Sequence, residues 1–280
     1  MIDSTTLRAA VIKNVKDALT EDVGAQDISA ALMPADRQAQ AQVITREKGI
    51  FCGRPWVEET AAQVDDQIHI DWQVEDGSPV NPDQVLFRLS GPAAGLLTAE
   101  RTMLNFVQLL SGTATKTARY VALISGTATI LLDTRKTLPG LRIAQKYAVT
   151  CGGGQNHRIG LFDAYLLKEN HIAAAGSIAA AVAAARRQHP DKPVEVETEN
   201  LDELKQAMDA GADIAMIDNF PLADTYTAVK EAKDKIKLEA SGGIDENSIT
   251  EIAAAGVDYI SIGEITKNID PMDLSMRFMD

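Results

Sequence analysis

The sequence predicts an α/β protein built in two successive parts. Over the first 112 residues, helical and strand-like spacings of apolar residues follow each other in no regular order, which is typical of an α+β unit. From about residue 128, short apolar runs alternate with helical segments, which indicates a parallel sheet with right-handed crossovers. The charged and glycine residues that end these runs favour a barrel, because barrel enzymes gather their active-site residues there. Periodicity alone also permits an open doubly wound sheet.

The composition limits the classes of function. Of the 280 residues, 45% are hydrophobic, so the chain can bury a large core, and no apolar run is long enough to cross a membrane. The net charge of -13 argues against nucleic acid or an anionic membrane as the partner. The N-terminus lacks the layout of a signal peptide. The two cysteines, Cys52 and Cys151, have neither metal nor disulfide spacing and are expected to serve packing, as in a cytoplasmic protein.

The first part begins with a predicted helix of about 20 residues, in which apolar positions recur on one face. Alternating runs then predict three strands, with a short helix between the first two. These strands cover residues 41–51, 68–74 and 85–91. A long helix is predicted from Leu96 to Leu110. The Ser-Gly-Thr sequence at 111–113 is expected to end it, before a further helix that stops at Gly126.

The second part contains six predicted strands, most of them followed by a helical segment. They cover residues 129–133, 164–168, 194–198, 214–218, 236–240 and 259–263. Six strands are fewer than the eight of a complete barrel of alternating strands and helices. The short, partly apolar tail at residues 267–280 is expected to pack back on the first part.

A locally cationic stretch runs from Asp133 to His171. It contains six basic and three acidic residues, although the whole chain is acidic. A charge cluster is most often one face of a surface helix. Here, however, Arg135 and Lys136 follow one predicted strand, and Lys168 ends another. Basic side chains at separate strand ends predict a pocket for an anionic small molecule, because arginine forks recognise carboxylates. The candidate residues are Arg135, Lys136, His157, Arg158 and Lys168.

Two further groups lie at the same strand ends. Glu195 and Glu197 occupy alternate positions of one predicted strand and therefore face the same side, and Asp218 ends the next strand. Glu195 is equally compatible with an ion pair, whereas carboxylates such as Glu197 and Asp218 can bind ribose hydroxyls or hold Mg²⁺ through water. Glycines at strand-to-helix turns present backbone N–H groups to a phosphate. The phosphate-binding candidates are Ser241, Gly242, Gly243, Ser261 and Gly263.

With these motifs the chain resembles the quinolinate phosphoribosyltransferases, the carboxylating nicotinate-nucleotide pyrophosphorylases. The resemblance covers nearly the whole chain in order, and the block around GGGQNHR is its most specific part. The matching segments are ERTMLN (100–105), SGTATKTARYV (111–121), DTRKTLPGLR (133–142), KYAVTCGGGQNHRIGLFDAYLLKENH (146–171), VEVETEN (194–200), MIDNF (216–220), EASGGI (239–244) and YISIG (259–263).

The resemblance implies an α/β sandwich domain at residues 1–112, on which the tail 267–280 packs, and an incomplete, about seven-stranded TIM-like barrel at 113–266. It also implies a reaction in NAD biosynthesis, in which quinolinate and phosphoribosyl pyrophosphate, with Mg²⁺, give nicotinate mononucleotide, carbon dioxide and pyrophosphate. The family is at least homodimeric, and each sandwich domain closes the barrel of its partner.

Motif matching implies a role for each candidate residue. Arg101 would reach into the partner's active site, although its spacing alone favours an intrahelical pair with an acid such as Glu100. The quinolinate-binding set would be Arg101, Thr134, Arg135, Lys136, His157, Arg158 and Lys168. Lys136, Glu197 and Asp218 would bind the ribose and the diphosphate, with Mg²⁺ held mainly by diphosphate and water near both carboxylates. The catalytic residues would be Lys136, Lys168, Glu197 and Asp218.

Three alternatives are compatible with parts of the pattern. A related phosphoribosyltransferase could act on another pyridine or aromatic acid, although several cations suit a dicarboxylate better than a mono-acid. A non-catalytic metabolite-binding barrel would have no need of Lys136, Glu197 and Asp218. A Schiff-base aldolase with Lys168 as nucleophile is the third, and borohydride trapping of a substrate adduct would support it.

Overall fold

The fold was analysed in a computed structural model that describes residues 2–279, so Met1 of the predicted first domain and Asp280 of the predicted tail lie outside the described residues. The helices are α1 Ser4–Val23, α2 Arg54–Val64, α3 Ala93–Leu123, α4 Arg142–Cys151, α5 Glu169–Ala175, α6 Ile178–Gln188, α7 Leu201–Asp209, α8 Leu222–Ala232, α9 Ile249–Ala254 and α10 Glu264–Lys267, with a 3-10 turn at Ala30–Leu32. The strands are β1 Gln38–Thr45, β2 Gly49–Ile50, β3 His69–Trp72, β4 Pro79–Val80, β5 Val85–Pro92, β6 Ile130–Leu132, β7 Tyr165–Leu167, β8 Val194–Thr198, β9 Ile214–Asp218, β10 Lys237–Ser241, β11 Tyr259–Ser261 and β12 Leu274–Met279.

The chain divides into two units. Within the described residues, the first unit comprises 2–118, 137–153 and 265–279, and the second comprises 119–136 and 154–264. Compared with the predicted division at residue 112, the first unit also includes residues 113–118 and 137–153. Residues 137–153 contain α4. The physical reason is the apolar face of α4, where Ala144 and Ala148 pack in one buried cluster with Trp56 and Phe106 of the first unit.

The first unit is built on a four-stranded sheet in the order β12-β1-β5-β3. All its pairings are antiparallel. Phe87 and Leu89 of β5 pack with Leu96 and Met103 of α3, so the long helix covers one face of the sheet. β12 pairs with β1, and this pairing places residues 274–279 of the tail in the first unit's sheet.

Two sequence-based boundaries in this unit are wrong. The predicted helix break at 111–113 does not occur, since α3 is continuous over 31 residues. The Ser111 hydroxyl bonds to the backbone of Cys52, and Gly112 lies where a Cβ would come within 2.3 Å of the Asp270 carbonyl oxygen, so both residues serve tertiary contacts. The predicted strand 41–51 also divides, because β1 ends at Thr45 and β2 pairs with β4 instead.

The second unit contains a six-stranded sheet in the order β6-β11-β10-β9-β8-β7, with every pairing parallel. The last strand, β11, lies beside the first strand, β6, as in a barrel and unlike a doubly wound sheet. The two edge strands are β6 and β7, and Gln155 forms a single parallel bridge with Leu132 at the β6 edge. The predicted α/β fold with an incomplete barrel is confirmed, with six strands and one bridge.

No helix among residues 2–279 combines the length and the apolar character needed to cross a membrane. The 31 residues of α3 are long enough, but this helix carries polar and charged residues throughout.

Candidate active site

The carboxyl ends of the six parallel strands bring most of the candidate residues to one edge of the second unit. Parallel strands in register end on the same side of a sheet. Asp218 of β9 is in register with Ser241 of β10, and Ser261 of β11 is in register with Leu132 of β6. Thr134, Arg135 and Lys136 directly follow β6, Lys168 follows β7, and Glu197 lies near the end of β8. Within the second unit, these residues therefore lie at the carboxyl edge of one parallel sheet.

Asp133 fixes the segment that carries His157 and Arg158. It is fully buried directly after β6. Its Oδ2 accepts a hydrogen bond from Asn156 Nδ2 at 2.8 Å, and its Oδ1 accepts one from the His157 backbone N–H at 2.9 Å. The segment that follows the triple glycine is thereby attached to the end of β6. Asn156 is a contributor that the sequence reasoning missed.

His157 lies against two buried carboxylates from different strands. Its Nε2 is 2.9 Å from Glu195 Oε2 and 3.3 Å from Glu239 Oε2. Glu195 is 4% exposed and Glu239 is fully buried, so neither charge is screened by solvent. Glu195 Oε1 and Glu239 Oε1 have no hydrogen-bond partner among the described residues. Buried carboxylates need compensation, and His157 is the group placed to supply it.

The pKa values of His157 and Glu195 are both raised above their ordinary values. Burial lowers the pKa of His157, but the hydrogen bonds and charges of Glu195 and Glu239 outweigh it and raise that pKa to about 10. Burial and the charge of Glu239 raise the pKa of Glu195 to about 7. At neutral pH the protonated His157 therefore offsets part of the negative charge of the two buried carboxylates.

Glu239 is the other residue that the sequence reasoning missed as a partner. In the sequence, Glu239 is only the first residue of the matching segment EASGGI (239–244). A stronger signal was available, because Glu239 stands between Leu238 and Ala240 in a strand whose central residues are all buried. An acid at such a position predicts a charged or hydrogen-bonding partner. The partner of Glu195 is a histidine, His157, rather than the neighbouring lysine or arginine that an ion pair predicted from the sequence would use.

Arg158 and Arg135 lie near enough for their charges to interact. Burial and the charge of Arg135 lower the pKa of Arg158, while Glu195 and Asp163 act in the opposite direction. Arg158 Nη1 donates to the Ala164 carbonyl oxygen at 3.2 Å, which orients the guanidinium. Two half-buried guanidinium groups that repel each other form a site suited to an anion with more than one negative charge.

Lys168 pairs with Glu197 at the end of β8. Its Nζ is 2.5 Å from Glu197 Oε2, and the carboxylate side chain is 13% exposed. The backbone N–H of Lys168 donates to His171 Nδ1 at 3.0 Å, which fixes the start of α5. An ammonium and a carboxylate that neutralise each other can separate when an anionic ligand binds the first and hydroxyls bind the second.

The remaining polar groups follow β9, β10 and β11. Asn219, which has a left-handed backbone with φ 56, donates from Nδ2 to Asp218 Oδ2 at 2.9 Å. Ser261 Oγ donates to Ser241 Oγ at 3.2 Å. Gly242 has φ +90, and a Cβ there would come within 2.4 Å of Asn219 Oδ1. Glycine is therefore required at residue 242 both for its backbone conformation and for space.

The side chain of Lys136 lies close to Gly263. A residue of the cationic group and a glycine of the proposed phosphate-binding group are therefore neighbours. A Cβ on Gly263 would lie 2.7 Å from Lys136 Cδ and 3.3 Å from Thr134 Oγ1. The Lys136 backbone N–H donates to Thr134 Oγ1 at 3.0 Å. Thr134, Lys136 and Gly263 thus form one contact group at the sheet edge.

Replacement of Gly263 by alanine is expected to displace Lys136 without unfolding the protein, because the atom met by the new Cβ belongs to a flexible side chain. Misplacing a catalytic group by about 1 Å can cost on the order of 10²-fold in rate. We expect a fall in kcat of up to that size with an unchanged thermal unfolding midpoint. Gly126→Ala is the matched control, because a Cβ there meets nothing within 4 Å. Wild-type kcat for Gly263→Ala would contradict the importance of this contact.

Arg101 is not part of this set within the second unit. It is exposed on α3, in the first unit. The donor set at the sheet edge suits a hard cation, since Glu197 and Asp218 supply carboxylate oxygens, the ligand type that Mg²⁺ prefers. Such an ion is usually held by one or two carboxylates together with substrate phosphates.

The chain is similar to known proteins over nearly its whole length. Residues 27–111 match the family description "Quinolinate phosphoribosyl transferase, N-terminal domain", and residues 113–277 match the corresponding C-terminal domain. The chain is 39% identical to the "Probable nicotinate-nucleotide pyrophosphorylase", carboxylating, of Bacillus subtilis, over 91% of this chain and 89% of that protein. It is 38% identical to the Mycobacterium leprae protein of the same type, over 94% and 95%. The solved structure of the Francisella tularensis nicotinate-nucleotide pyrophosphorylase superposes with a TM-score of 0.93 at 52% identity, over 97% of both chains.

Proposed function

The chain belongs to the quinolinate phosphoribosyltransferase family, and from this premise we propose that it converts quinolinate and phosphoribosyl pyrophosphate into nicotinate mononucleotide, carbon dioxide and pyrophosphate. This activity makes it a pentosyltransferase of NAD biosynthesis. The observation that carries the proposal is the meeting of cationic side chains with Glu197 and Asp218 at one edge of a parallel sheet.

The cationic residues bind the dicarboxylate. Arg135 and Arg158 lie close enough to repel each other, and an anion between them relieves that repulsion. Lys168 contributes a third positive charge, and His157 contributes a side chain that its two buried carboxylates hold in place. Several fixed cations favour quinolinate over a pyridine with a single carboxylate. The Thr134 hydroxyl accepts a hydrogen bond from the Lys136 backbone N–H, which helps to position Lys136.

The carboxylates and the glycine-containing turns bind the second substrate. Glu197 and Asp218 accept hydrogen bonds from the ribose hydroxyls, and their charges stabilise the positive charge that develops on the sugar as pyrophosphate departs. Ser241, Gly242, Gly243, Ser261 and Gly263 present hydroxyl and backbone N–H groups to phosphate. Mg²⁺, held mainly by the diphosphate and water near Glu197 and Asp218, would neutralise charge on the leaving group.

The reaction needs orientation more than proton transfer. In the proposed reaction, the ring nitrogen attacks the anomeric carbon. Lys136 would contact both the reacting carboxylate and the phosphates. The alkylated nitrogen is positive and stabilises the carbanion that is left on the adjacent ring carbon when the carboxylate departs as carbon dioxide, and that carbon then takes a proton from water. The contribution of the protein is therefore to hold the two substrates in line and to balance their charges.

A comparison of quinolinate with nicotinate tests the substrate. We expect release of carbon dioxide and pyrophosphate only when quinolinate, phosphoribosyl pyrophosphate and Mg²⁺ are all present. Product formation from nicotinate at a comparable rate would instead assign a related phosphoribosyltransferase. Binding of both substrates without pyrophosphate release would assign a metabolite-binding barrel.

The proposed assembly is at least a homodimer in which Arg101 completes the partner's active site. Its support is the family resemblance and the exposed position of Arg101 on α3. A cytoplasmic location is part of the same proposal, supported by the presence of only two cysteines and no disulfide framework in the sequence.

Mixing two inactive variants tests the role of Arg101. Arg101→Ala and Lys168→Ala are each expected to be inactive. A mixed dimer would combine one intact barrel with one intact Arg101, so an equal mixture with free subunit exchange should recover about a quarter of wild-type activity. Arg119→Ala, an exposed arginine on the same helix, is the matched control and should be active alone. Failure of the exchanged mixture to recover activity would show that Arg101 does not act across subunits.

A further inference from the structure

The only two cysteines of the chain lie side by side in the first unit. Cys52 precedes Gly53 at the start of α2, and Cys151 is the last residue of α4. Their Sγ atoms and one carboxylate oxygen of Asp76 all lie within 4.8 Å of one another. The sequence separation of the two cysteines predicted packing roles only, because nothing in their spacing indicates that α4 returns to the start of α2.

The two cysteines differ in how deeply they are buried. The backbone N–H of Cys52 donates to Ser111 Oγ at 2.9 Å, and its carbonyl oxygen accepts from the same hydroxyl at 3.1 Å. Cys52 is fully buried, whereas Cys151 is partly exposed. Cys52 is therefore fixed in place beside a second thiol that a small solute can reach.

A resident metal ion explains this cluster poorly. Asp76 Oδ1 already accepts hydrogen bonds from the Gly53 and Arg54 backbone N–H groups at 2.8 and 3.2 Å, and Oδ2 accepts one from the Tyr147 hydroxyl at 2.7 Å. Burial, the neighbouring Cys151 and the charge of Asp76 raise the pKa of the Cys52 thiol, which opposes the thiolate that a metal requires. Two sulfur atoms within 4.8 Å of each other, one of them on a partly exposed residue, are instead placed for two-electron oxidation to a disulfide.

We propose that Cys52 and Cys151 form a reversible intramolecular disulfide when the protein meets a hydroperoxide. The sulfur of Cys151 attacks the O–O bond, which gives a sulfenic acid and, from hydrogen peroxide, one molecule of water. The sulfur of Cys52 then displaces the sulfenic hydroxyl group, which leaves with the Cys52 proton as a second water. The two sulfurs lose two electrons in total and the peroxide gains them. A dithiol reductant restores both thiols by exchange.

The disulfide would join the C-terminal end of α4 to the residue before Gly53. Both positions lie in the first unit, so the bond requires no rearrangement of the second unit. A reversible bond of this kind agrees with a reducing compartment, where protein disulfides are transient rather than structural.

Peptide mapping of the oxidised full-length protein tests the proposal. The protein is treated with hydrogen peroxide, denatured with an alkylating reagent but no reductant, digested and analysed by mass spectrometry. We expect a linked pair of peptides that contain Cys52 and Cys151, lighter than their sum by two hydrogen atoms. Dithiothreitol should return both thiols, and Cys151→Ser should abolish the linked pair. Cys52→Ser serves as the second variant, with circular dichroism to check that its buried substitution leaves the protein folded.

Three outcomes would overturn the proposal. One is oxidation of Cys151 to sulfinic or sulfonic acid while Cys52 is still alkylated. Another is a linkage between chains, which a mixture of unlabelled and ¹⁵N-labelled protein would reveal as isotopically mixed peptide pairs. The third is that Zn²⁺ alone protects both thiols from alkylation and that hydrogen peroxide produces no disulfide. This result would assign a metal site instead.

Discussion

Lys168→Ala is expected to lower kcat/KM by roughly 10²–10³-fold, the usual cost of removing one well-placed donor from an active site. In the proposed role, Lys168 carries one of the charges that neutralise the dicarboxylate. Its removal also leaves Glu197 without the ammonium that lies 2.5 Å away. The Lys168 side chain is 44% exposed, so the loss of this ion pair should change the free energy of unfolding by no more than about 1 kcal/mol.

Steady-state kinetics and thermal unfolding of the same preparation measure both effects. Lys205→Ala is the matched control, because Lys205 is exposed on α7. Arg135→Ala should behave like Lys168→Ala, with a similar loss of turnover in a folded protein. Near-normal kcat/KM in either active-site variant would remove that residue from the proposed binding set.

His157→Ala is expected to destabilise the second unit by about 3–5 kcal/mol at neutral pH, because it leaves Glu195 and Glu239 buried without their partner. The folded-state pKa of His157, about 10, lies above its ordinary value of 6.5. The stabilisation from this histidine is therefore fully present below about pH 6.5 and is lost as the pH rises through about 10. The difference between wild type and variant should thus be present throughout the neutral range.

The variant should itself depend on pH in a defined direction. Glu195 already has a pKa raised to about 7, and without His157 the penalty for ionising it grows. Such a carboxyl costs nothing while protonated, so the free energy of unfolding of the variant should be higher near about pH 5 than near about pH 8. Urea unfolding at both pH values measures it.

Two variants control for other causes. Glu239→Gln in the His157→Ala background should recover part of the loss, because it removes one of the two buried charges. His189→Ala, an exposed histidine of the same unit, should change stability by less than about 0.5 kcal/mol. A free energy of unfolding of the His157→Ala variant that is equal at both pH values would point to a packing defect rather than to buried charge.

The strands of the second unit were predictable because their apolar runs are short and separated by clear helices. β8 and β9 have the predicted bounds, and β10 is displaced by one residue. Strand order could not come from periodicity, since the neighbours of a strand depend on long-range pairing. The pairing of β11 with β6 is what distinguishes a barrel from an open sheet.

The candidate site was predictable where chemistry follows a strand end, and less so elsewhere. Composition overcounted the cationic stretch, because Arg142 and Lys146 lie on α4 in the first unit and Lys146 is fully buried there. Composition could not reveal that His157 would meet two carboxylates from strands far away in the chain. The helix break at Ser111 and Gly112 failed for a similar reason, since tertiary contacts outweigh local propensity.

The gap between β6 and β7 gives the second unit a seam. On the edge of β6 that does not pair with β11, the backbone pairing consists of one bridge, to Gln155. The side chain of Asp133 holds the next two residues, Asn156 and His157, by hydrogen bonds. A seam secured this way lacks the row of backbone bonds that joins the other strands. His157, one of the residues proposed to bind the dicarboxylate, is thus held by the same carboxylate that closes this edge of the barrel.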